Sequence, residues 1–411
     1  MVNTKELLLG SLLATASLAT YGITIPDIVD EVTLGSYSNY HINLFVSEGD
    51  SRGFTDNTGV REPAYQHDLA RDYIASNFTA MGYDTWLDPF GFAYTNNITY
   101  TNCNNVVAVK PGMGGNDIII IGAHYDTADL GNTDAPVTNA CPGADDNGSG
   151  VAALLELANT VKDYTFRNTI YFIAFDAEEK GLAGSSHFVA THTTANPSET
   201  NAILRSSIKG MVSVDMIAFN LDTTPNTLTV EPSSSSIRNG LFRAVTNHTS
   251  LGIIEWPYIG ASDHGPFHNA GIDAALVMEG DFIELDNEGQ FIFPPLNTIM
   301  HTDFDSVDTL GVMDYEISTE VTKAITAYLC EQAGIIPPAT LQAQGISDDK
   351  IEVFFHPTAG VEYGLYGTTN LLATNAWDFI QPIPVTNPAS AVTLELDVRG
   401  APARMYKVIG E

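Results

Sequence analysis

Positive charge is scarce in this chain. Lysine and arginine together number 17 among 411 residues, against 50 aspartates and glutamates, for a formal net charge of −33. A surface this acidic repels phosphate backbones, so no nucleic-acid partner is expected. Cysteine is scarcer still, limited to Cys103, Cys141 and Cys330. None stands in a C-x-x-C pair, which argues against a thiolate zinc site. An odd number also rules out a fully paired disulfide framework within one chain. Cys103 and Cys141 are the two that an oxidising compartment could join. The alternative is three small buried side chains, with Cys330, in a helical pattern, the free one. Long apolar runs are missing as well. Beyond residue 19 no segment offers the ~20 unbroken apolar residues of a membrane span, so stable membrane insertion is not expected.

What is present starts at the N-terminus. Lys5 precedes an apolar stretch from Leu7 to Ala19, and Ala14-Thr15-Ala16 and Ser17-Leu18-Ala19 both resemble signal-peptidase sites. Residues 1–19 are therefore read as a signal peptide, and the protein as secreted or periplasmic. An amphipathic N-terminal helix is the other reading, since Glu6 offsets Lys5. The remaining length suffices for one large domain and a small one.

From about residue 60 to 330, strand-like and helix-like patterns alternate, which predicts an α/β sheet. HDLARDYIASNFTAMG is an amphipathic helix stopped by Gly82. NNVVAVK, DIIIIGAH, NTIYFIAF, MVSVDM and DAALVME read as strands, with a helix from Ser149 to about Val161. A long final helix is expected over VDTLGVMDYEISTEVTKAITAYLCEQAG, ending at Gly334. After Gly334-Ile-Ile-Pro-Pro the helical period vanishes. IEVFF, VEYGLYG, AWDFI, AVTLELD and RMYKVI are short strands between turn residues, so residues 336–411 read as a small sandwich-like β module. The large domain then covers residues 20–335.

Chemistry concentrates at strand ends. His124 follows IIIIGA, Glu178 and Glu179 follow YFIAF, and Asp215 ends MVSV. PGADDNGSG adds Asp146 on a Gly-rich turn, and IMHTDFDSVDTL adds His301. Ligands bind outside the carboxyl ends of strands in open α/β sheets. Two imidazoles and three carboxylates (His124, Asp146, Glu179, Asp215, His301) suit zinc, or manganese or cobalt as substitutes. Glu178 is left over for proton transfer, and a metal pair with a spare base is the equipment of metal-assisted hydrolysis. Asp126 lies two residues past His124, on the same side of the strand end, where it can accept the imidazole's other N–H. Taken singly, each residue has a blander reading: a satisfied histidine, a helix cap or a solvated charge pair. Their company favours the metal reading.

The motif set resembles the bacterial double-zinc aminopeptidases, a zinc exopeptidase family that includes glutaminyl cyclases and glutamate carboxypeptidases. The resemblance covers about residues 60–330. It implies a mixed, mostly parallel sheet flanked by helices, two zinc ions per chain, and peptides with a free N-terminus as substrates. It implies Asp146 as the bridging ligand, Glu178 as general base and Asp126 as the residue orienting His124. It further implies His124 and Asp215 on opposite metals, with Glu179 and His301 also on different ones. Asp263 and His264 in SDHGPFHNAG would shape the pocket wall. Met300 stands where some members carry a tyrosine before the last histidine, so that tyrosine's contribution is not expected. A single-zinc glutaminyl cyclase, a carboxypeptidase and a non-catalytic binding protein are the competing readings. His67, His187, His192, His248 and His268 match nothing in the family and are read as structural or exposed. The oligomeric state is not legible in the sequence.

Overall fold

The structure, a computed structural model, describes residues 24–336 apart from 58, 96–97, 129–140, 200–201, 220–225, 281–283, 286–290, 293–296, 310 and 312, together with six strands beyond residue 341. The signal-peptide reading of residues 1–19 lies outside the described residues.

Two short helices come first, α1 (Ile25–Val29) and α2 (Leu34–Ile42). A hairpin of β1 (Phe54–Asn57) and β2 (Val60–Pro63) leads to α3 (Tyr65–Ala80), which stops at Gly82 with φ +89°. Two long strands follow, β3 (Asp84–Thr95) and β4 (Ile98–Lys110), then β5 (Ile118–His124). Next come α4 (Gly150–Val161), β6 (Thr169–Phe175), α5 (Ala183–His192) and β7 (Ile208–Val214). The domain continues through β8 (Thr227–Pro232), α6 (Ser235–His248), β9 (Gly252–Glu255), α7 (His264–Asn269) and β10 (Ala274–Glu279). It ends with α8 (Tyr315–Ala333).

The ten strands form one sheet in the order β1-β2-β4-β6-β5-β7-β10-β8-β9, with β3 on the other edge of β4. Its centre, β6-β5-β7-β10, is parallel throughout. Antiparallel pairs lie toward both sides. This is the mixed, largely parallel sheet that the resemblance implies, built on the strand–helix alternation of the sequence. Side chains alternate across it as the pleat requires. Ile119, Ile121 and Ala123 of β5 face one core with α3, α4, α6 and α8, while Ile120 faces a second core with Phe188 of α5 and Phe267 of α7. Both faces are thus buried under helices, which is why the central strands are continuously apolar in sequence.

One expectation needs correction. The last helix starts at Tyr315, not at Val307. Gly311 adopts φ +77°, and the Asp314 carboxylate caps the new helix by accepting from the Glu316 and Ile317 amides. The three cysteines are buried and free, which is the second of the two readings the sequence left open.

Beyond Ile336 the six strands are β11 (Gln342–Ser347), β12 (Lys350–Phe355), β13 (Tyr363–Thr368), β14 (Asp378–Ile383), β15 (Val392–Asp397) and β16 (Met405–Gly410). They pair antiparallel in two sheets of three, β11-β12-β15 and β14-β13-β16.

Candidate metal centre

Three adjacent parallel strands deliver donors to one edge of the sheet. His124 closes β5 in register with Phe175, the last residue of β6. Ser213 of β7 lies opposite Gly122 of β5, so Asp215 emerges beside His124 on the other side. The β6 chain turns sharply after Phe175: Ala177 takes φ +56°, and Glu178 and Glu179 leave the strand. Asp126 fixes this turn, its carboxylate accepting from the Glu178 amide at 2.9 Å and the Glu179 amide at 3.3 Å.

The fourth donor comes from the turn Ala144–Ser149 that opens α4. Two glycines let it approach β7. Gly143 sits at φ +58°, and a Cβ on Gly150 would stand 2.3 Å from the Val214 carbonyl oxygen. Asn147 donates to that carbonyl and accepts from the Gly150 and Met216 amides. Asp145 accepts from Ala218 N and Asn297 Nδ2. The turn therefore points Asp146 alone at the strand ends. His301, at φ +58°, closes the cluster from a later loop. Ala177, Met216 and His301 are non-glycine residues with positive φ, all at or beside a donor. Such conformations persist where surrounding structure over-determines them, and they concentrate at functional sites.

The donors form two triads sharing Asp146. His124 Nε2 lies 3.2 Å from Asp146 Oδ1 and 3.4 Å from Asp215 Oδ1. His301 Nε2 lies 2.9 Å from Asp146 Oδ2 and 3.0 Å from Glu179 Oε1. His124 is thus grouped with Asp215, and Glu179 with His301, which overturns the expected division across the two metals. The reason is strand order: β5 and β7 are neighbours, whereas Glu179 leaves β6 on the far side of β5. Asp126 has a second task beside His124. Its backbone carbonyl, at 3.2 Å, and its carboxylate, at 3.5 Å, both face His124 Nδ1, and the carboxylate also holds the Glu178–Glu179 turn.

These residues fit a pair of divalent cations. Bonds of about 2.0–2.2 Å to a tetrahedral ion put neighbouring donors roughly 3.3 Å apart, close to the separations found. His124 Nδ1 donates to the Asp126 carbonyl, which leaves Nε2 facing two carboxylate oxygens. Either a proton on Nε2 or a metal ion bound to the neutral ring satisfies that arrangement. Asp215 Oδ2 accepts from the Ser262 hydroxyl, while its buried Oδ1 has no hydrogen-bond donor among the described residues. The triad of His124, Asp146 and Asp215 is buried, but the His301 side chain is 43% exposed, so the centre opens to solvent on that side.

The field around the centre is strongly negative. Burial works against a charged His124, yet Asp215, Glu178, Asp126 and Asp146 outweigh it and raise its pKa well above the usual imidazole value. Burial likewise opposes ionisation of Asp146, but the two imidazoles hold its carboxyl below the ordinary range. Burial raises Glu178 well above a normal glutamate; His124 opposes, and Asp263, Asp215 and Glu179 add to the rise. Asp263, fully buried, is pushed up to about 7, first by burial and then by its acidic neighbours against His124. His264 stands behind it, its Nε2 2.9 Å from Glu231. Met300 packs with Met216, Leu276 and Met278 into an apolar wall.

Sequence reasoning missed the supports of the centre. Asp305 accepts from the Asp145 and Asp146 amides at 2.6 and 3.0 Å. Arg52, fully buried, donates to the carbonyls of Phe45, Tyr125, Pro142 and Gly143. Neither carries a local pattern; the nearest signal was the acidic run after His301.

A family model described as peptidase family M28 matches residues 105–328. Aminopeptidase YwaD of Bacillus subtilis is 29% identical over 223 residues, covering 53% of this chain and 44% of the relative. Leucine aminopeptidase 1 of Trichophyton equinum is 28% identical over 243 residues, covering 56% and 58%. The chain thus spans about half the length of the curated relatives it matches. The zinc aminopeptidase BSAP of Bacillus subtilis superposes with a TM-score of 0.57 at 18% identity, over 73% of this chain and 95% of that one. The LapA aminopeptidase of Legionella pneumophila gives 0.56 at 22% identity, over 75% and 74%. These likenesses show the shared fold. The family match covers more than half of the chain and contains every donor of the two triads. This chain belongs to peptidase family M28.

Proposed function

We propose that the protein is a zinc-dependent aminopeptidase that hydrolyses the N-terminal peptide bond of peptides. The observation that carries this reading is the pair of triads sharing Asp146, with the Glu178 carboxyl left outside both. The relatives named aminopeptidases support it. His124, Asp146 and Asp215 would hold one zinc ion, and Asp146, Glu179 and His301 the other. Zinc supplies the positive charge that makes water nucleophilic near neutral pH and polarises the scissile carbonyl. Glu178 takes the proton from the attacking water and returns it to the leaving amine nitrogen. Asp126 holds Glu178 in place through the backbone. The carboxylates around His301 favour a cationic N-terminal amine on the open side. The apolar wall of Met216, Leu276, Met278 and Met300 suits an apolar first side chain.

Dialysis against a strong chelator should abolish hydrolysis of aminoacyl-nitroanilides, and zinc should restore it. Full turnover in rigorously metal-free protein would sink the reading. Cyclisation of N-terminal glutaminyl peptides without aminoacyl release would replace it by the cyclase reading.

We further propose export, supported by the apolar stretch Leu7–Ala19. The strands beyond residue 341 are proposed to be an accessory β module without a part in the chemistry, supported by the position of every donor of the two triads before it.

A further inference from the structure

A second group of metal-binding side chains lies away from the two triads. Asp88 is on β3, and His187 and His192 are on α5, the latter as its last residue. Asp88 Oδ1 stands 3.1 Å from His187 Nε2 and 2.8 Å from His192 Nε2, and the three donor atoms all lie within 4.8 Å of one another. The carboxylate is buried while the imidazoles are partly exposed, 24% and 35%. That places the meeting point of the donors at the solvent boundary, where water can complete a coordination shell.

The surroundings prepare these groups. Asn105 Nδ2 donates to Asp88 Oδ2 at 3.0 Å, leaving Oδ1 to face the histidines. Phe90 stacks on the His187 ring at 4.9 Å and 17°, and Phe188 lies against the His192 ring at 5.0 Å. A hydrogen-bonded partner on the second carboxylate oxygen and packed imidazole faces are how metal ligands are oriented before the ion arrives. The same Asn105 also donates to Gly184 O and accepts from Asp176 N, so the group is tied into α5 and the end of β6.

We propose that Asp88, His187 and His192 form an accessory site for one divalent transition-metal ion, clamping α5 to β3. Two imidazoles and one carboxylate favour zinc, nickel or copper over calcium or magnesium. Opening the two Asp88–imidazole contacts by a few tenths of an ångström would bring them to tetrahedral separations of roughly 3.3 Å. The strong negative charge of the chain raises the local cation concentration.

The test compares the full-length protein with the variant His187→Asn/His192→Asn at the same buffered, micromolar free zinc. Wild type should hold one more zinc ion per chain than the variant, with the same turnover on a small substrate. Added zinc should raise its thermal midpoint beyond the rise seen in the variant, because binding to the folded form stabilises it. Equal metal content in the two proteins would overturn the proposal and leave the histidines as hydrogen-bond donors to Asp88. A measurement on wild type alone covers a variant that folds poorly. Zinc-edge anomalous diffraction from crystals grown with zinc should show a peak between Asp88 and the two imidazoles; a flat map there would overturn it too.

Discussion

Glu178 and Glu179 are neighbours with the same chemistry and different surroundings. Both amides are held by Asp126, yet only Glu179 reaches His301 and joins a triad. Glu178→Gln should keep both metals and lose about 10²–10⁴-fold in turnover, as removal of a general base does. Glu179→Gln should weaken one metal, with partial recovery in excess zinc. Metal content and rate, measured side by side, check both; the opposite pattern means the roles are exchanged. A second residue gives a pH signature. His41 donates through Nε2 to the Ala144 carbonyl and accepts the Tyr315 hydroxyl on Nδ1. Burial lowers its pKa to about 4; the Ala144 bond opposes this and Arg52 adds to it. Its folded pKa lies below the unfolded one, so its stabilising effect is complete above about pH 6.5 and is lost as pH falls toward 4. The loss amounts to about 3 kcal/mol on this shift. Urea titrations from pH 7 to 4 should show a shallower acid limb in His41→Gln than in wild type; identical limbs would remove His41 from the acid response.

At the scale of elements, the turn Ala144–Ser149 is the most constrained piece of the centre. It is fastened to the segment after β7 by Asp145, Asn147 and Ser149, and to a later loop by Asp305. Gly150→Ala puts a methyl against the Val214 carbonyl and the Asn147 side chain. Overpacking of this kind costs about 1–3 kcal/mol, and here it also pushes Asp146 away from both histidines. Denaturant midpoints and zinc titrations should both fall; a variant of unchanged zinc affinity would show that the turn has slack. The Gly-rich turn was visible in sequence because glycine marks close backbone approach. Asp305, Asn297 and Arg52 were not, because a single polar residue in a loop has no periodicity, and its partner is chosen by folding.

At the scale of the molecule, strand ends of the main sheet, one turn and one loop supply the two triads, and the chain stays fastened to the domain through Ile336, which pairs with Thr165 beside Ile335 and Phe166 in a separate two-stranded sheet. A chain ending just after Ile336 should therefore fold, bind metal and turn over a small substrate at the wild-type rate. Truncation that left metals intact and abolished turnover would give the β strands beyond residue 341 a part in the site. The sequence by itself determined the alternation of strands and helices, the apolar centre of the sheet and the positions of the donors at strand ends. These are local properties, written in period and in the residue types that follow an apolar run. Which donors share an ion was decided only by the tertiary structure. The order β6-β5-β7 is not the order of the chain, so His124 meets Asp215 from 91 residues away, and Glu179 meets His301. The same holds for Asp88 with His187 and His192: three ordinary residues in sequence become a cluster because α5 packs over β3.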